Sequence, residues 1–170
     1  MQTNLTGKNI LVTGGAGLVG SHLCEKLLSM GAKVFVLDIL VLPSSYFESQ
    51  NLRDKVKLLM VDLTDYDKVL QAVKENQIDY IFHLGAQALV GEAFKDPRRT
   101  FDSNLMGTVN ILEAARLNLS VKGIMVASSD KAYGKDCLNA KEDQKVFGDH
   151  PYDASKAGTD IISRTYFTTY

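Results

Sequence analysis

The sequence predicts an α/β fold, a doubly wound parallel sheet with helices on both faces. Three observations carry that expectation. Short apolar runs alternate with longer segments of helical period along all 170 residues. The runs are near-continuously apolar, as strands buried on both faces are, rather than apolar and polar by turns. A glycine-rich stretch joins the first run to the first helical segment.

The elements follow in order. NILVTG (9–14) reads as the first strand, and LVGSHLCEKLLSMG (18–31) as a helix with apolar positions at 19, 23, 27 and 30. Gly31 stands where a C-terminal cap is expected. KVFVLD (33–38) is a second strand, and residues 41–55 read as polar and irregular. KLLMVDL (57–63) is a third strand, with Thr64 or Asp65 as N-cap of the helix DYDKVLQAVKEN. DYIFHLG (79–85) is a fourth strand, followed by a loop. A long helix is expected from Pro97 to Asn118, its stripe formed by Phe101, Leu105, Val109, Leu112 and Ala115. VKGIMVAS (121–128) is the fifth strand. A polar segment, KDCLNAKEDQKVFGDH, then leads to YDASKAGTDIISRTYFTTY, which reads as helix to the last residue. There is no repeat, low-complexity tract or internal linker, so residues 1–170 read as one domain.

Composition narrows the function classes. Hydrophobic residues make up 45% and charged residues 23%, the balance of an ordinary folded domain, with a net charge of −1. No basic block argues for a nucleic acid or an anionic membrane surface. No apolar run approaches the roughly 20 residues that span a bilayer. Cys24 and Cys137 stand in no CxxC pair, which argues against a disulfide framework or zinc site and suits a reducing, cytoplasmic setting. His83 has no second His or Cys at ligand spacing, so no metal site is expected.

The stretch VTGGAGLVG carries glycines at 14, 15, 17 and 20, satisfying GxGxxG from Gly15 and a GxxGxxG variant from Gly14. Between a strand and a helix, such a loop lets backbone approach a pyrophosphate at the helix N-terminus. The last glycine allows helix and strand to pack closely. Asp38 closes the second strand 18 residues beyond Gly20, where a carboxylate accepts both ribose hydroxyls of NAD and repels a 2′-phosphate. The following ILV supplies no Arg for that phosphate. The expectation is a Rossmann-type sheet that binds NAD rather than NADP. Asp62, closing the third strand, could meet the adenine amino group or cap the following helix.

TGGAGLVGSHL, Asp38, VDL, HLGAQALV, NLMGT (104–108), SSDKAYG and PYDASKAG occur in a recognisable order. The chain resembles the extended short-chain dehydrogenase/reductases, in particular the nucleotide-sugar epimerases and dehydratases, and most of all those of CDP-glucose 4,6-dehydratase type. The resemblance covers almost the whole chain. It departs from the commoner HLAA at Gly85, a small change that leaves room for a cofactor. The resemblance implies cofactor contacts from Gly14, Gly17, Leu18, Val19, Gly20, Asp38, Asp62, Leu63, Leu84, Gly85, Ala86, Asn104, Tyr152 and Lys156. Relatives continue past this point with residues that complete the sheet and the sugar pocket. The chain is therefore expected to be the N-terminal portion of a longer enzyme, lacking the C-terminal substrate lobe.

Tyr152 and Lys156 form a YxxxK pair on one helix face. An ammonium and a nicotinamide cation nearby would favour phenolate, making Tyr152 a base near neutral pH. By resemblance, Ser129 hydrogen-bonds the sugar hydroxyl that Tyr152 deprotonates, and His83 shapes the cofactor pocket. Asp130 and Lys131 discriminate between activities. Epimerases usually carry small or uncharged residues after the catalytic Ser/Thr, whereas dehydratases of the CDP-glucose branch carry Asp then Lys. The implied sequence is oxidation at C4, removal of the C5 proton by Lys131, and protonation of the C6 hydroxyl by Asp130. Hydride return to C6 would complete a 4-keto-6-deoxy product. Those roles need neutral Lys131 and protonated Asp130; burial would favour both states and mutual attraction would oppose them. A solvated pair is the plainer alternative. An NAD-dependent 4-epimerase and a non-catalytic NAD-binding module also stay open. Helices from Pro97 and Asp153 pair across a dimer axis in relatives, so a homodimer is implied.

Overall fold

In the computed structural model, residues 5–134 and 138–170 are described. Cys137 lies outside them. Five strands form one parallel sheet: β1 (Asn9–Thr13), β2 (Lys33–Asp38), β3 (Lys57–Met60), β4 (Tyr80–His83) and β5 (Gly123–Val126), ordered β3-β2-β1-β4-β5. The registers Val12↔Val36 and Val12↔Phe82 put β1 at the centre, where the chain reverses its direction of travel across the sheet. Crevices for ligands open at that reversal, beyond the strands' C-terminal ends. The predicted doubly wound fold is the one observed.

The pleat of β1 divides the core. Ile10 and Val12 face one cluster with Cys24, Leu27, Val34, Val36, Phe47 and Leu52. Leu11 faces the other with Leu37, Leu63, Val69, Val73, Ile81 and Ile111. The first cluster is covered by α1 (Leu18–Ser29) and the short α2 (Tyr46–Ser49), the second by α3 (Tyr66–Glu75) and α6 (Gly107–Leu117). A helix α4 (Val90–Lys95) precedes α5 (Pro97–Phe101), and α7 (Pro151–Thr169) packs on α4, α5, α6 and a turn at Asp130–Tyr133.

Several expectations need correction. The segment 41–55 is not irregular: Ser45 caps α2, and a 3₁₀ turn follows at Leu52–Asp54, with Phe47 and Leu52 fully buried. The loop before Pro97 holds α4. The helix from Pro97 is not uniform, because Asp102–Met106 forms a widened π turn between α5 and α6. Its buried face meets the apolar stripe only at Leu112. Asn104, Thr108, Ile111, Leu112 and Ala114 are buried, while Phe101, Leu105, Val109 and Ala115 are only half-buried. Polar groups occupy this inner face because each finds a hydrogen-bond partner there. In α1 the buried face is Gly20, Ser21, Cys24 and Leu27; of the predicted positions only Leu27 is buried, and Val19 is left 68% exposed. Asp65, not Thr64, caps α3 by accepting from Lys68 N. Gly31 has φ +80° just past α1, as a C-terminal cap requires.

Candidate active site

A groove of about 410 Å³ opens at the C-terminal ends of β1, β2 and β4. Its floor is the glycine loop. Gly14 has φ +66°, and a Cβ there would lie 2.8 Å from Gly85 N, so a side chain would force the loops after β1 and β4 apart. A Cβ at Gly20 would sit 2.2 Å from Gly14 O, which is the close helix–strand packing expected of the last glycine. No side chain caps the N-terminus of α1 at Gly17, so its first N–H groups are free to face an anion.

Asp38 stands across the groove, set by backbone amides. Oδ2 accepts from Ala16 N at 3.0 Å and Oδ1 from Ile39 N at 2.8 Å. One carboxylate thus joins the glycine loop to the end of β2. Asp62 does not cap a helix: its Oδ1 accepts from Thr64 N and Oγ1 at 2.9 and 2.8 Å, turning the chain at the groove's edge. Leu18, Val19, Leu63, Leu84 and Ala86 complete the predicted lining, with Gly17 and Gly85. The sequence reading missed Leu37, Ile39, Val61, Gln87, Ala88, Arg99 and Ser103, which also line it. Arg99 is informative. Residues after Asp38 offered no basic group, but α5 brings one from 61 positions further on.

Asn104 and the Tyr152–Lys156 pair are not among the groove-lining residues. Asn104 is 2% exposed and has its amide fully committed. Its Oδ1 accepts from Gln87 N at 2.7 Å, and its Nδ2 donates to Gln87 O at 3.1 Å and Ser155 Oγ at 2.8 Å. It is a strut between the loop after β4 and α7 rather than a wall of the groove. His83 is wired to the same strut. Thr13 Oγ1 accepts from Gly85 N and lies 2.7 Å from His83 Nδ1. Thr108 gives its proton to the Asn104 carbonyl, so His83 Nε2 is the donor to Thr108 Oγ1 at 3.1 Å. Burial keeps the ring neutral, so it carries its proton on Nε2 and accepts from Thr13 at Nδ1. Burial, aided by the nearby Lys156 ammonium, depresses its pKa to about 3.

On α7, Tyr152 is half-buried and Lys156 is 7% exposed, its Nζ donating to Ala127 O at 2.9 Å. Desolvation lowers the Lys156 pKa. The Asp130–Tyr133 turn packs against this helix and brings SSDK to it. Ser129 caps that turn, accepting from Lys131 N and donating to Asp130 Oδ1, both at 3.2 Å. The Asp130 and Lys131 side chains are 79% and 46% exposed, with Nζ 3.6 Å from Oδ2. The Ser129 hydroxyl, then Lys131, hold the Asp130 carboxyl below its usual range. In this open arrangement Asp130 is ionised, the reverse of what an acid needs.

The model of the family described as GDP-mannose 4,6 dehydratase matches residues 11–170. The chain belongs to that family. A CDP-glucose 4,6-dehydratase of Salmonella typhimurium is 31% identical over 168 residues, covering 96% of this chain and 46% of the relative. Among solved structures, the UDP-glucose 4-epimerase of Thermus thermophilus in complex with NAD superposes with a TM-score of 0.82 at 35% identity, over 95% of this chain and 51% of that one. A double mutant of a Streptomyces venezuelae dTDP-glucose 4,6-dehydratase with NAD bound gives a TM-score of 0.82 at 28% identity, over 95% and 52%. This member of the GDP-mannose 4,6 dehydratase family thus has both dehydratases and epimerases of nucleotide sugars as relatives, and spans about half their length.

Proposed function

We propose that this chain is the NAD-binding part of a nucleotide-sugar 4,6-dehydratase. The residues fit the dinucleotide. The uncapped α1 N-terminus suits a pyrophosphate, the Asp38 carboxylate suits two ribose hydroxyls, and the groove between them is lined mostly by small and apolar residues. Bound there, NAD would supply a hydride acceptor and donor.

This chain's own residues would do the rest. Ser129 holds a sugar hydroxyl and Tyr152 takes its proton as the carbon is oxidised, with Lys156 beneath as a fixed cation. Lys131 takes the proton from the carbon next to the new ketone, and Asp130 gives one to the departing hydroxyl. The observation that carries dehydration over epimerisation is the charged pair Asp130–Lys131, next to Ser129 on a turn packed against the Tyr152 helix. The pair must first be covered, since exchange of its charge states needs loss of water and of the Ser129 hydrogen bond.

The second reading, a 4-epimerase, is favoured by the likeness to the Thermus thermophilus enzyme. The two part in deuterated water. Incubation of the complete protein with CDP-glucose and UDP-glucose is expected to give a 4-keto-6-deoxy product carrying solvent deuterium at C5. A C4 epimer without deuterium overturns the dehydratase reading in favour of the epimerase.

A further inference from the structure

Asp153, next to Tyr152 in the first turn of α7, is fully buried. Neither of its carboxylate oxygens has a hydrogen-bond partner, and the same holds for His150 Nδ1, which is also buried. His150 Nε2 lies 3.1 Å from Asp153 Oδ1, close enough for an ion pair though not aligned as a hydrogen bond. The imidazole also packs against the Phe94 ring of α4, with centroids 5.0 Å apart. A buried carboxylate without donors is costly, and an apolar residue would fill a merely structural position at less expense.

The surroundings say what the pair fixes. Phe147 N donates to Ala132 O at 2.7 Å, tying the chain before α7 to the turn that carries Asp130 and Lys131. A Cβ at Gly148 would fall 2.3 Å from Ala154 Cα, so the same segment runs hard against the first turn of α7. His150 then closes onto Asp153. From turn to helix the path is Ala132, Phe147, Gly148, His150, Asp153, with Tyr152 held between the last two.

We propose that His150 and Asp153 form an imidazole–carboxylate latch that positions Tyr152 against the Ser129–Lys131 turn. They are positioning residues, acting through Tyr152 without touching substrate. The Asp153 carboxylate also sits where the N-terminal end of a helix favours negative charge. The proposal rests on Tyr152 being the base of the proposed reaction, but its geometry can be read without turnover.

The experiment follows the ring signal of Tyr152 in protein carrying ¹³C-labelled tyrosine, assigned with Tyr152→Phe. Asp153→Asn and His150→Gln are each expected to move and broaden that signal. The double variant should be no worse than the worse single, because both break one contact. NAD affinity should stay within about twofold, since neither side chain lines the groove, while kcat on the turned-over nucleotide-glucose falls about tenfold to a hundredfold, the scale of a misplaced catalytic group. An unmoved Tyr152 signal, or additive effects of the two changes, overturns the latch. If Asp153→Asn does not fold, His150→Gln, at the less buried partner, decides alone by the same two readouts. Turnover surviving Tyr152→Phe would sink the catalytic reading instead, leaving the ring signal to judge the latch.

Discussion

His83 shows how one residue reports on the whole site. Both ring nitrogens are spent on hydroxyls of Thr13 and Thr108, and burial depresses its pKa to about 3. In the unfolded chain a histidine titrates near 6.5. Between those values the unfolded state binds a proton that the folded state refuses, so stability must fall as pH falls through that window. The contribution is fully present above pH 6.5, with a slope below it approaching about 1.4 kcal/mol per pH unit. Urea unfolding in steps from pH 7.5 to 5 is expected to show that slope, and His83→Gln should flatten it, whatever its effect at pH 7.5. The other two histidines are present in both proteins and cancel in the comparison. An equal slope in the variant would mean that His83 is solvated or charged, contrary to its hydroxyl contacts.

At the scale of elements, the informative one is the helix interrupted by the π turn at Asp102–Met106. Asn104 sits in that turn and makes three side-chain hydrogen bonds, two to Gln87 backbone and one to Ser155, joining the loop after β4 to α7. At about 1 kcal/mol each, their removal in Asn104→Ala should cost about 3 kcal/mol. For a domain of this size that lowers Tm by about 6–12 °C, which scanning calorimetry would detect. A change under about 2 °C would show that the strut is not needed. This element also marks where sequence reading stopped. The glycine loop, the five strands and Asp38 were legible because their signals are local: a spacing, an apolar run, a carboxylate at a strand end. The π turn was hidden because Phe101, Leu105, Val109 and Leu112 keep an apparent helical stripe through it. The family resemblance sets Asn104 against the cofactor, whereas its side-chain amide is spent on partners 17 and 51 residues away. Likewise Phe47 and Leu52 vanish into a segment that looks polar, and Arg99 reaches the groove from a distant helix. Pairings made by the fold leave no periodicity to read.

At the scale of the molecule, the two halves of the proposed chemistry stand in different states. The groove at the ends of β1, β2 and β4 is formed by this chain's own residues, with Asp38 and the glycine loop already bonded in place. The acid–base pair lies open, and Ser129 and Lys131 hold Asp130 ionised. Binding and elimination should therefore separate in the 170-residue chain. NAD at about 100 times its Kd adds about 2.7 kcal/mol to the folded state, which corresponds to a rise in Tm of about 5–10 °C. NADP should give a smaller rise, because its 2′-phosphate meets the Asp38 carboxylate. Under the same conditions CDP-glucose should give no 4-keto-6-deoxy product, since Asp130 as it stands cannot give a proton to the departing C6 hydroxyl. No thermal shift with NAD would refute the assignment of the groove. Formation of that product by this chain would refute the requirement for covering the pair, because elimination would then proceed from charges that water still screens.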